Sequence, residues 1–236
     1  DYAAQTAWKR KIVAESLQRI GGIGGIETGE CIPSHERGFR TTVRYPARQT
    51  ATGFVCGYYE RRSHRIVDID RCPVAADSVN EIAAIIRALL NDHPIAGIGE
   101  ITIRAGAFDP SFLVTIATEG GKSIGPQAEK LLSRLSRPGG VVHRIAETGR
   151  IAGSRGERYR YERIGERRFR IGEDSFFQIN TGQAANLVHA AGGFLSSEPG
   201  DTVVDAYGGV GLFSLLLCGN DDKIRLYDLS ESAVGD

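Results

Sequence analysis

Two acids and a glycine-rich loop near the end of the chain have a spacing that could bind a ligand. Thr202-Val203-Val204-Asp205 predicts a buried strand that ends in an acid, and Gly208-Gly209-Val210-Gly211 follows after two further residues. Glycines allow a tight turn and let a ligand approach the main chain closely. A helix after the loop would point its N-terminus at that ligand. Asp228 ends the next apolar run and could accept hydrogen bonds from both hydroxyls of a ribose.

Three interpretations of this loop compete. A dinucleotide site requires Gly-x-Gly-x-x-Gly, and Ser214 stands at the third glycine position. Asp205 fits poorly beside a pyrophosphate, but it fits well beside the charged amino group of a methionine moiety. The pattern therefore favours S-adenosylmethionine over a nicotinamide or flavin dinucleotide, while an α/β loop that binds no ligand stays open.

The elements around the loop predict the start of a parallel, doubly wound sheet. A strand from Thr202 to Ala206, a helix from Leu212 to Leu217 and a strand from Ile224 to Asp228 follow in the order of a βαβ unit. Ahead of them, Thr181 is predicted to cap a helix. We expect an α/β fold in which a Rossmann-like domain begins at residue 171.

The upstream sequence predicts a smaller α+β unit. Hairpins are expected at 52–69 and 101–117, and Pro73 is predicted to open an amphipathic helix. Its apolar positions are Val79, Ile82, Ile85, Ile86 and Leu89. A further amphipathic helix is predicted at 3–20. The predicted organisation is a helix and linker at 1–34, a central α+β domain at 35–170, and the first part of the Rossmann-like domain at 171–236.

Charge divides the chain at the same place. Residues 1–170 hold 27 Lys and Arg against 19 Asp and Glu, whereas residues 171–236 hold 2 against 10. A basic unit suits a polyanion such as RNA. The alternating run Arg158-Tyr159-Arg160-Tyr161-Glu162-Arg163 predicts a strand with one charged face. That face is either solvated or a surface for RNA backbone and bases.

Composition limits where the protein is expected to work. No apolar run approaches the roughly 20 residues that cross a bilayer, and the first residues lack the order of a signal peptide. None of the four cysteines stands in a Cys-x-x-Cys spacing, so reduced thiols with packing roles are expected. We expect a cytoplasmic monomer that does not contact a membrane.

Several segments resemble the RNA (uracil-5-)-methyltransferases, which make 5-methyluridine in tRNA and 23S rRNA. The resemblance lies in Phe176-Phe177-Gln178-Ile179-Asn180, in Val204 to Ser214 and in Asp228 to Val234, and it extends upstream to Tyr2 to Lys9 and Gly38 to Arg44. Gly208 stands where that family usually has Cys, and Asp228 where it usually has Glu. The resemblance implies an S-adenosylmethionine-dependent enzyme with RNA as its partner. The expected cofactor-binding residues are Gln178, Asp205, Tyr207, Gly209, Gly211, Leu212 and Asp228.

The resemblance also implies chemistry that this chain does not hold alone. Ile69-Asp70-Arg71-Cys72-Pro73 is similar to the segment that supplies the fourth ligand of a [4Fe–4S] cluster, so Cys72 is expected to bind metal and to indicate the 23S rRNA branch. The other three cluster cysteines would precede residue 1. The nucleophilic cysteine that attacks uracil and the general base that removes its C5 proton would follow residue 236. The chain therefore looks truncated at both ends, and no catalytic residue is expected within it. A non-catalytic RNA-binding protein, a tRNA enzyme and an α/β oxidoreductase are the alternatives.

Overall fold

The computed structural model describes residues 1–195, 198–219 and 221–236, which form two compact units, 1–36 and 37–236. In the first unit, helix α1 (Tyr2–Arg19) is capped by Asp1, whose carboxylate accepts from the Ala4 N–H at 3.0 Å. The predicted helix at 3–20 is confirmed. Within its own unit the apolar face stays uncovered, since Trp8 and Ile12 are more than half exposed.

A seven-stranded mixed sheet with two helices organises the first part of the second unit. Its elements are β1 (Thr42–Thr50), β2 (Gly53–Tyr59), β3 (Ile66–Asp68), α2 (Asp77–Asp92), β4 (Ile98–Ala105), β5 (Phe112–Thr118), a 3₁₀ turn (Glu119–Gly121), α3 (Gly125–Leu135), β6 (Gly139–Ile145) and β7 (Ile151–Gly156). The strand order is β3-β2-β1-β4-β5-β6-β7. The β5–β6 pair is parallel and the others are antiparallel.

Helix α2 buries four of the five side chains that its period predicts, and the fifth, Ile85, is partly buried against the same apolar cluster. Val79, Ile82, Ile86 and Leu89 are at most 2% exposed and belong to the same apolar cluster as Ile101 and Ile103 of β4. Each buried Ile or Leu contributes roughly 1.5–3 kcal/mol to folding. The helix begins at Asp77 and not at Pro73 as predicted. Pro73 instead lies in a turn in which the Ala75 N–H donates to the Cys72 carbonyl at 3.2 Å.

A hairpin and a short parallel sheet follow. The elements are β8 (Tyr159–Ile164), β9 (Arg167–Gly172), α4 (Thr181–Gly192), β10 (Thr202–Ala206), α5 (Leu212–Leu217), β11 (Lys223–Tyr227) and α6 (Glu231–Gly235). Strands β8 and β9 pair antiparallel, and β10 and β11 pair in parallel, so the predicted strand–helix–strand unit is confirmed. Phe169, Phe177, Val188 and Leu212 join a second apolar cluster that ties hairpin, helices and loop together.

Two local predictions in this part are wrong. Asn180, and not Thr181, caps α4, because the Asn180 side chain accepts from the Gln183 N–H at 3.1 Å. The charged residues of β8 also face inward: Arg160 is 1% exposed and Glu162 is fully buried, whereas Tyr159 and Tyr161 lie on the outer face. Main-chain and hydroxyl donors from other segments surround Glu162, which makes the burial of a carboxylate tolerable.

Within the described residues no helix is long and apolar enough to cross a membrane. The structure separates 1–36 from 37–236, and the domain boundary expected at residues 170 and 171 falls inside the second unit. That boundary stays a prediction.

Candidate functional site

The loop from Tyr207 to Gly211 joins β10 to α5 and has a conformation that needs glycine. The N–H groups of Tyr207 and Gly208 both donate to the Tyr227 carbonyl, at 2.7 and 3.1 Å. Gly209 and Gly211 have φ values of 55° and 77°, in the left-handed region that only glycine enters freely. Tyr207 shares that region with a φ of 63°, and its side chain is 88% exposed. The loop therefore presents open main chain and one free aromatic ring.

Asp205 is the penultimate residue of β10, and its carboxylate faces the first turn of α5. Its Oδ2 atom accepts from the Ser214 N–H at 3.2 Å, while Oδ1 has no hydrogen bond within the described chain. A Cβ at position 208 would lie 2.8 Å from the Asp205 Cγ atom and 2.7 Å from the Leu226 Cγ atom. The resembling family usually has Cys at this position. Here a side chain at position 208 would collide with those of Asp205 and Leu226, which explains why the residue is glycine.

Asp228 follows β11 and holds the glycine loop from the neighbouring strand. Its Oδ1 accepts from the Ser230 N–H at 2.8 Å, and its Oδ2 accepts from the Gly209 N–H at 2.9 Å. These hydrogen bonds, that of Ser230 first, hold the pKa of Asp228 below its usual range. Each carboxylate oxygen keeps a further lone pair for a ligand hydroxyl. The parallel pairing places this acid and the loop at the same edge of the sheet.

The segment Phe176–Asn180 is fixed at several points. The Ile179 carbonyl accepts from both the N–H and the hydroxyl of Thr41, at 2.8 and 3.1 Å. Phe177 is buried with its ring centroid 5.9 Å from that of Phe169, while Phe176 is 71% exposed. Gln178 lies half-buried between these anchored neighbours. Phe177 and Leu212 belong to one apolar cluster, so the segment and the start of α5 share a core.

Two carboxylates that the sequence did not single out hold this region together. Asp236 accepts from the Ser175 hydroxyl at 2.5 Å and the Gly172 N–H at 2.6 Å, which ties the end of α6 to the approach of the Phe176 segment. Glu162 accepts from the Thr181 hydroxyl at 3.0 Å on the other side of that segment. Their positions depend on partners distant in sequence, so no local pattern could have revealed them.

Cys72 lies in the turn before α2. Its side chain is 4% exposed, and its N–H donates to the Asn80 Oδ1 atom at 2.9 Å. Burial raises the pKa of Cys72, but hydrogen bonds from the Val74 N–H and the Tyr58 hydroxyl outweigh burial and lower it. In the part of the chain that the structure describes, no three His, Cys, Asp or Glu residues are grouped to hold a metal ion. Cys72 offers one sulfur, and a complete cluster site is not present among these residues.

Known proteins are similar to this chain in sequence and in fold. No protein-family profile matches the chain. A protein of Halalkalibacterium halodurans, named an uncharacterized RNA methyltransferase, is 28% identical over all of this chain and 56% of its own length. One of Thermosynechococcus vestitus with the same description is 30% identical over 92% of this chain and 52% of its own length. The chain thus spans about half the length of these relatives.

A solved structure extends the likeness to three dimensions. It is the Pyrococcus abyssi tRNA (uracil-54, C5)-methyltransferase in complex with S-adenosyl-L-homocysteine, with a TM-score of 0.75 and 24% identity over all of this chain and 57% of that one. The names of these relatives, as RNA methyltransferases, and of this solved structure, as a tRNA uracil-C5 methyltransferase, agree with the resemblance to the RNA (uracil-5-)-methyltransferases. At 24% identity this likeness establishes the fold alone: a mixed α/β architecture with a Rossmann-like βαβ unit, which lies at residues 202–227 of this chain.

Proposed function

We propose that this chain is part of an S-adenosylmethionine-dependent methyltransferase that forms 5-methyluridine in RNA. The observation that carries the proposal is the hydrogen bond from the Gly209 N–H to the Asp228 carboxylate. It sets an acid suited to a ribose beside a glycine loop, at the carboxyl ends of two parallel strands, where ligands bind in open α/β sheets. The names of the relatives and the S-adenosyl-L-homocysteine bound in the P. abyssi enzyme support the same conclusion.

The cofactor supplies an electrophilic methyl group when bound, and the residues of this chain would hold and orient it. Asp228 would accept hydrogen bonds from the ribose hydroxyls, and the free Oδ1 of Asp205 would face the amino group of the methionine moiety. Gly209 and Gly211 leave the main chain open to close approach. Gln178 would add a hydrogen-bonding amide to the proposed set, and Leu212 would add an apolar contact. The exposed ring of Tyr207 would pack against the cofactor.

Calorimetric titration of the full-length protein with S-adenosylhomocysteine and with NAD tests the cofactor. We expect the protein to bind S-adenosylhomocysteine and not NAD. Asp228→Asn should weaken the affinity for S-adenosylhomocysteine about tenfold or more, because it removes charge-assisted hydrogen bonds. Asp92→Asn is a matched control, since Asp92 ends α2 and its side chain is 64% exposed. Binding of NAD without S-adenosylhomocysteine would instead identify an α/β oxidoreductase.

Among RNA substrates we propose 23S rRNA, with Cys72 as one ligand of a [4Fe–4S] cluster completed by parts of the protein outside this chain. Supporting this, the Cys72 sulfur is buried beside main-chain N–H donors and lies 3.8 Å from the Tyr58 hydroxyl, surroundings that stabilise a thiolate. Full-length protein purified without oxygen should show visible absorption that Cys72→Ser loses. A colourless wild type removes both the cluster and the reason to prefer rRNA. That result would leave tRNA as the proposed substrate, the class of RNA for which the P. abyssi enzyme is named.

A second candidate is a non-catalytic RNA-binding protein that keeps the methyltransferase fold. The tyrosines and arginines on the outer face of the β8–β9 hairpin favour it, because they suit RNA independently of the cofactor loop. Transfer of a labelled methyl group to uracil-containing RNA by the full-length protein separates the two. RNA binding without transfer favours the second candidate.

The proposal includes a cytoplasmic location and a monomeric state. All four cysteines are free thiols, which fits a reducing compartment. Sedimentation velocity of the full-length protein tests the monomer, and a concentration-dependent dimer would contradict it.

A further inference from the structure

The outer face of the β8–β9 hairpin is built from aromatic rings and guanidinium groups. Tyr159 and Tyr161 meet edge to face with ring centroids 5.4 Å apart. The Arg168 guanidinium carbon lies 3.5 Å from the centroid of the Tyr161 ring, and that of Arg170 lies 5.6 Å from the centroid of Tyr159. Stacked rings and guanidinium planes are the groups on which proteins stack unpaired bases.

The charge that this face exposes is positive. The side chains of Arg168 and Arg170 remain 46% and 42% exposed, whereas their acidic partners Asp109 and Asp236 are only 4% and 10% exposed. Between residues 158 and 170 the sequence holds six arginines against two glutamates, and one of these glutamates is the buried Glu162. A phosphate backbone is the complementary partner for such a surface.

The loop between β4 and β5 packs on this hairpin and carries an exposed phenylalanine. Phe108 is 64% exposed. The loop under it is fixed, because the N–H groups of Ala107 and Phe108 donate to the Glu162 carboxylate at 2.9 and 3.1 Å. A Cβ at Gly106 would lie 2.2 Å from the Asp109 carbonyl oxygen and 3.0 Å from that of Tyr161, so the loop packs directly on the hairpin. Phe108 is thus exposed on rigid main chain.

Asp109 links the phenylalanine to the stacked pair. Its Oδ2 accepts from the Arg168 Nε–H at 2.9 Å, and its Oδ1 accepts from the Ser111 N–H at 3.0 Å. The Ser111 hydroxyl in turn accepts from the Tyr161 N–H at 2.7 Å. The residue next to Phe108 therefore holds the guanidinium over Tyr161, and the three groups are set in place before any ligand arrives. Such preorganisation lowers the entropy lost on binding.

We propose that Phe108, Tyr161 and Arg168 form a stacking platform for unpaired bases of single-stranded RNA. This inference rests on the proposed function and adds to it the place where the RNA beside the target uracil is held. Glu162 connects the platform to the Phe176–Asn180 segment, because the same carboxylate accepts from the Phe108 N–H and from the hydroxyl of Thr181, the residue after that segment. Arg163 and Arg167, exposed on the same hairpin, would contact phosphates.

Fluorescence anisotropy with a labelled single-stranded oligoribonucleotide and the full-length protein tests the platform. Phe108→Leu and Tyr161→Leu should each weaken binding about tenfold, because each removes a stacking surface. Phe108→Tyr and Tyr161→Phe keep the rings and should keep the affinity. The leucine variants should leave the dependence of log Kd on log salt unchanged, whereas Arg163→Gln should lower that slope by about 0.7.

The outcomes separate this inference from the proposed function. If the leucine variants bind both S-adenosylhomocysteine and RNA as tightly as the wild type does, the stacking platform is overturned. This is the result expected if the face binds a protein partner instead of RNA. Equal affinity for the annealed duplex overturns it as well. In the wild type, 4-thiouridine placed in the oligonucleotide should crosslink to 106–111 or 159–168, and crosslinks confined elsewhere contradict the inference without any variant. Loss of S-adenosylhomocysteine binding in the wild type contradicts the proposed function alone.

Discussion

Replacing Glu162 by alanine should destabilise the protein much more than replacing Arg160 by methionine, although the two side chains form one buried ion pair. Their closest atoms, the Arg160 Nη1 and the Glu162 Oε2, are 3.3 Å apart, and the side chains are 1% and 0% exposed. Burial lowers the pKa of the Arg160 guanidinium, and the neighbouring Glu162 carboxylate offsets only part of that effect. Breaking a buried pair from one side usually costs about 3–5 kcal/mol, since the remaining charge is left without a partner.

The structure makes this cost unequal. Without Glu162, the Arg160 guanidinium loses its acid, and four further donors lose their acceptor. These are the N–H groups of Ala107, Phe108 and Arg163 and the hydroxyl of Thr181. Without Arg160, those four donors still solvate the carboxylate, and the Arg160 Nε–H has no partner to lose. We expect a loss of about 3–5 kcal/mol for Glu162→Ala and of about 1–2 kcal/mol for Arg160→Met.

Urea denaturation of the full-length protein followed by circular dichroism measures both losses. Hydrogen exchange adds a local measurement, because the amides of Ala107 and Phe108 should lose protection in Glu162→Ala and keep it in Arg160→Met. Glu162→Gln, which keeps one acceptor oxygen, should fall between them. Equal losses for the two single variants, or a larger loss for Arg160→Met, would refute the reasoning that the carboxylate is the centre of this network.

Three further predictions concern the loop, the pH response and the buried histidine. Gly211→Ala should lower the free energy of unfolding by about 1–2 kcal/mol, because Gly211 has a φ of 77°; an unchanged urea midpoint would contradict this. Because hydrogen bonds from Ser230 and Gly209 lower the pKa of Asp228, affinity for S-adenosylhomocysteine should hold through the ordinary range of Asp and fall only at lower pH; calorimetry should show no such fall in Asp228→Asn. Burial lowers the pKa of His143 below 6.5, so its neutral form stabilises the fold and stability should decline as pH falls from about 6.5 toward the lowered pKa. Melting temperatures measured across this range should show a smaller decline in His143→Gln, and an identical decline would remove His143 as the cause.

Regular periods made part of the fold predictable. Strand β10 and helix α5 have the predicted bounds, and β11 begins and ends one residue before the prediction. The buried side of α2 was predictable because an apolar stripe at helical spacing has only one way to face a core. These features depend on short windows of sequence, in which packing and local preference agree.

Which face of β8 turns toward the core was not predictable in the same way. Alternation fixes that two faces differ, but it does not say which face turns inward. Here the arginine and glutamate go in and the tyrosines stay out, because donors at residues 107, 108 and 181 surround Glu162. Asn180 and Thr181 are both good caps by type, and only the structure decides between them. The order of acid, glycines and acid in the candidate site was visible in the sequence, whereas the Gly209–Asp228 hydrogen bond that joins them was not.

The bond between Thr41 and Ile179 has a consequence for how the protein folds. It joins positions 138 residues apart, so the chain must close a very long loop before the Phe176–Asn180 segment gains its anchor. Closing so long a loop costs chain entropy before the contact stabilises the fold, so contacts of such separation slow folding. We therefore expect the Phe176–Asn180 segment to take its final shape only after the strand that begins at Thr42 is in place. A piece cut out at residue 171 would carry Gln178 on a segment without its carbonyl anchor, and the two halves should fold as one cooperative body.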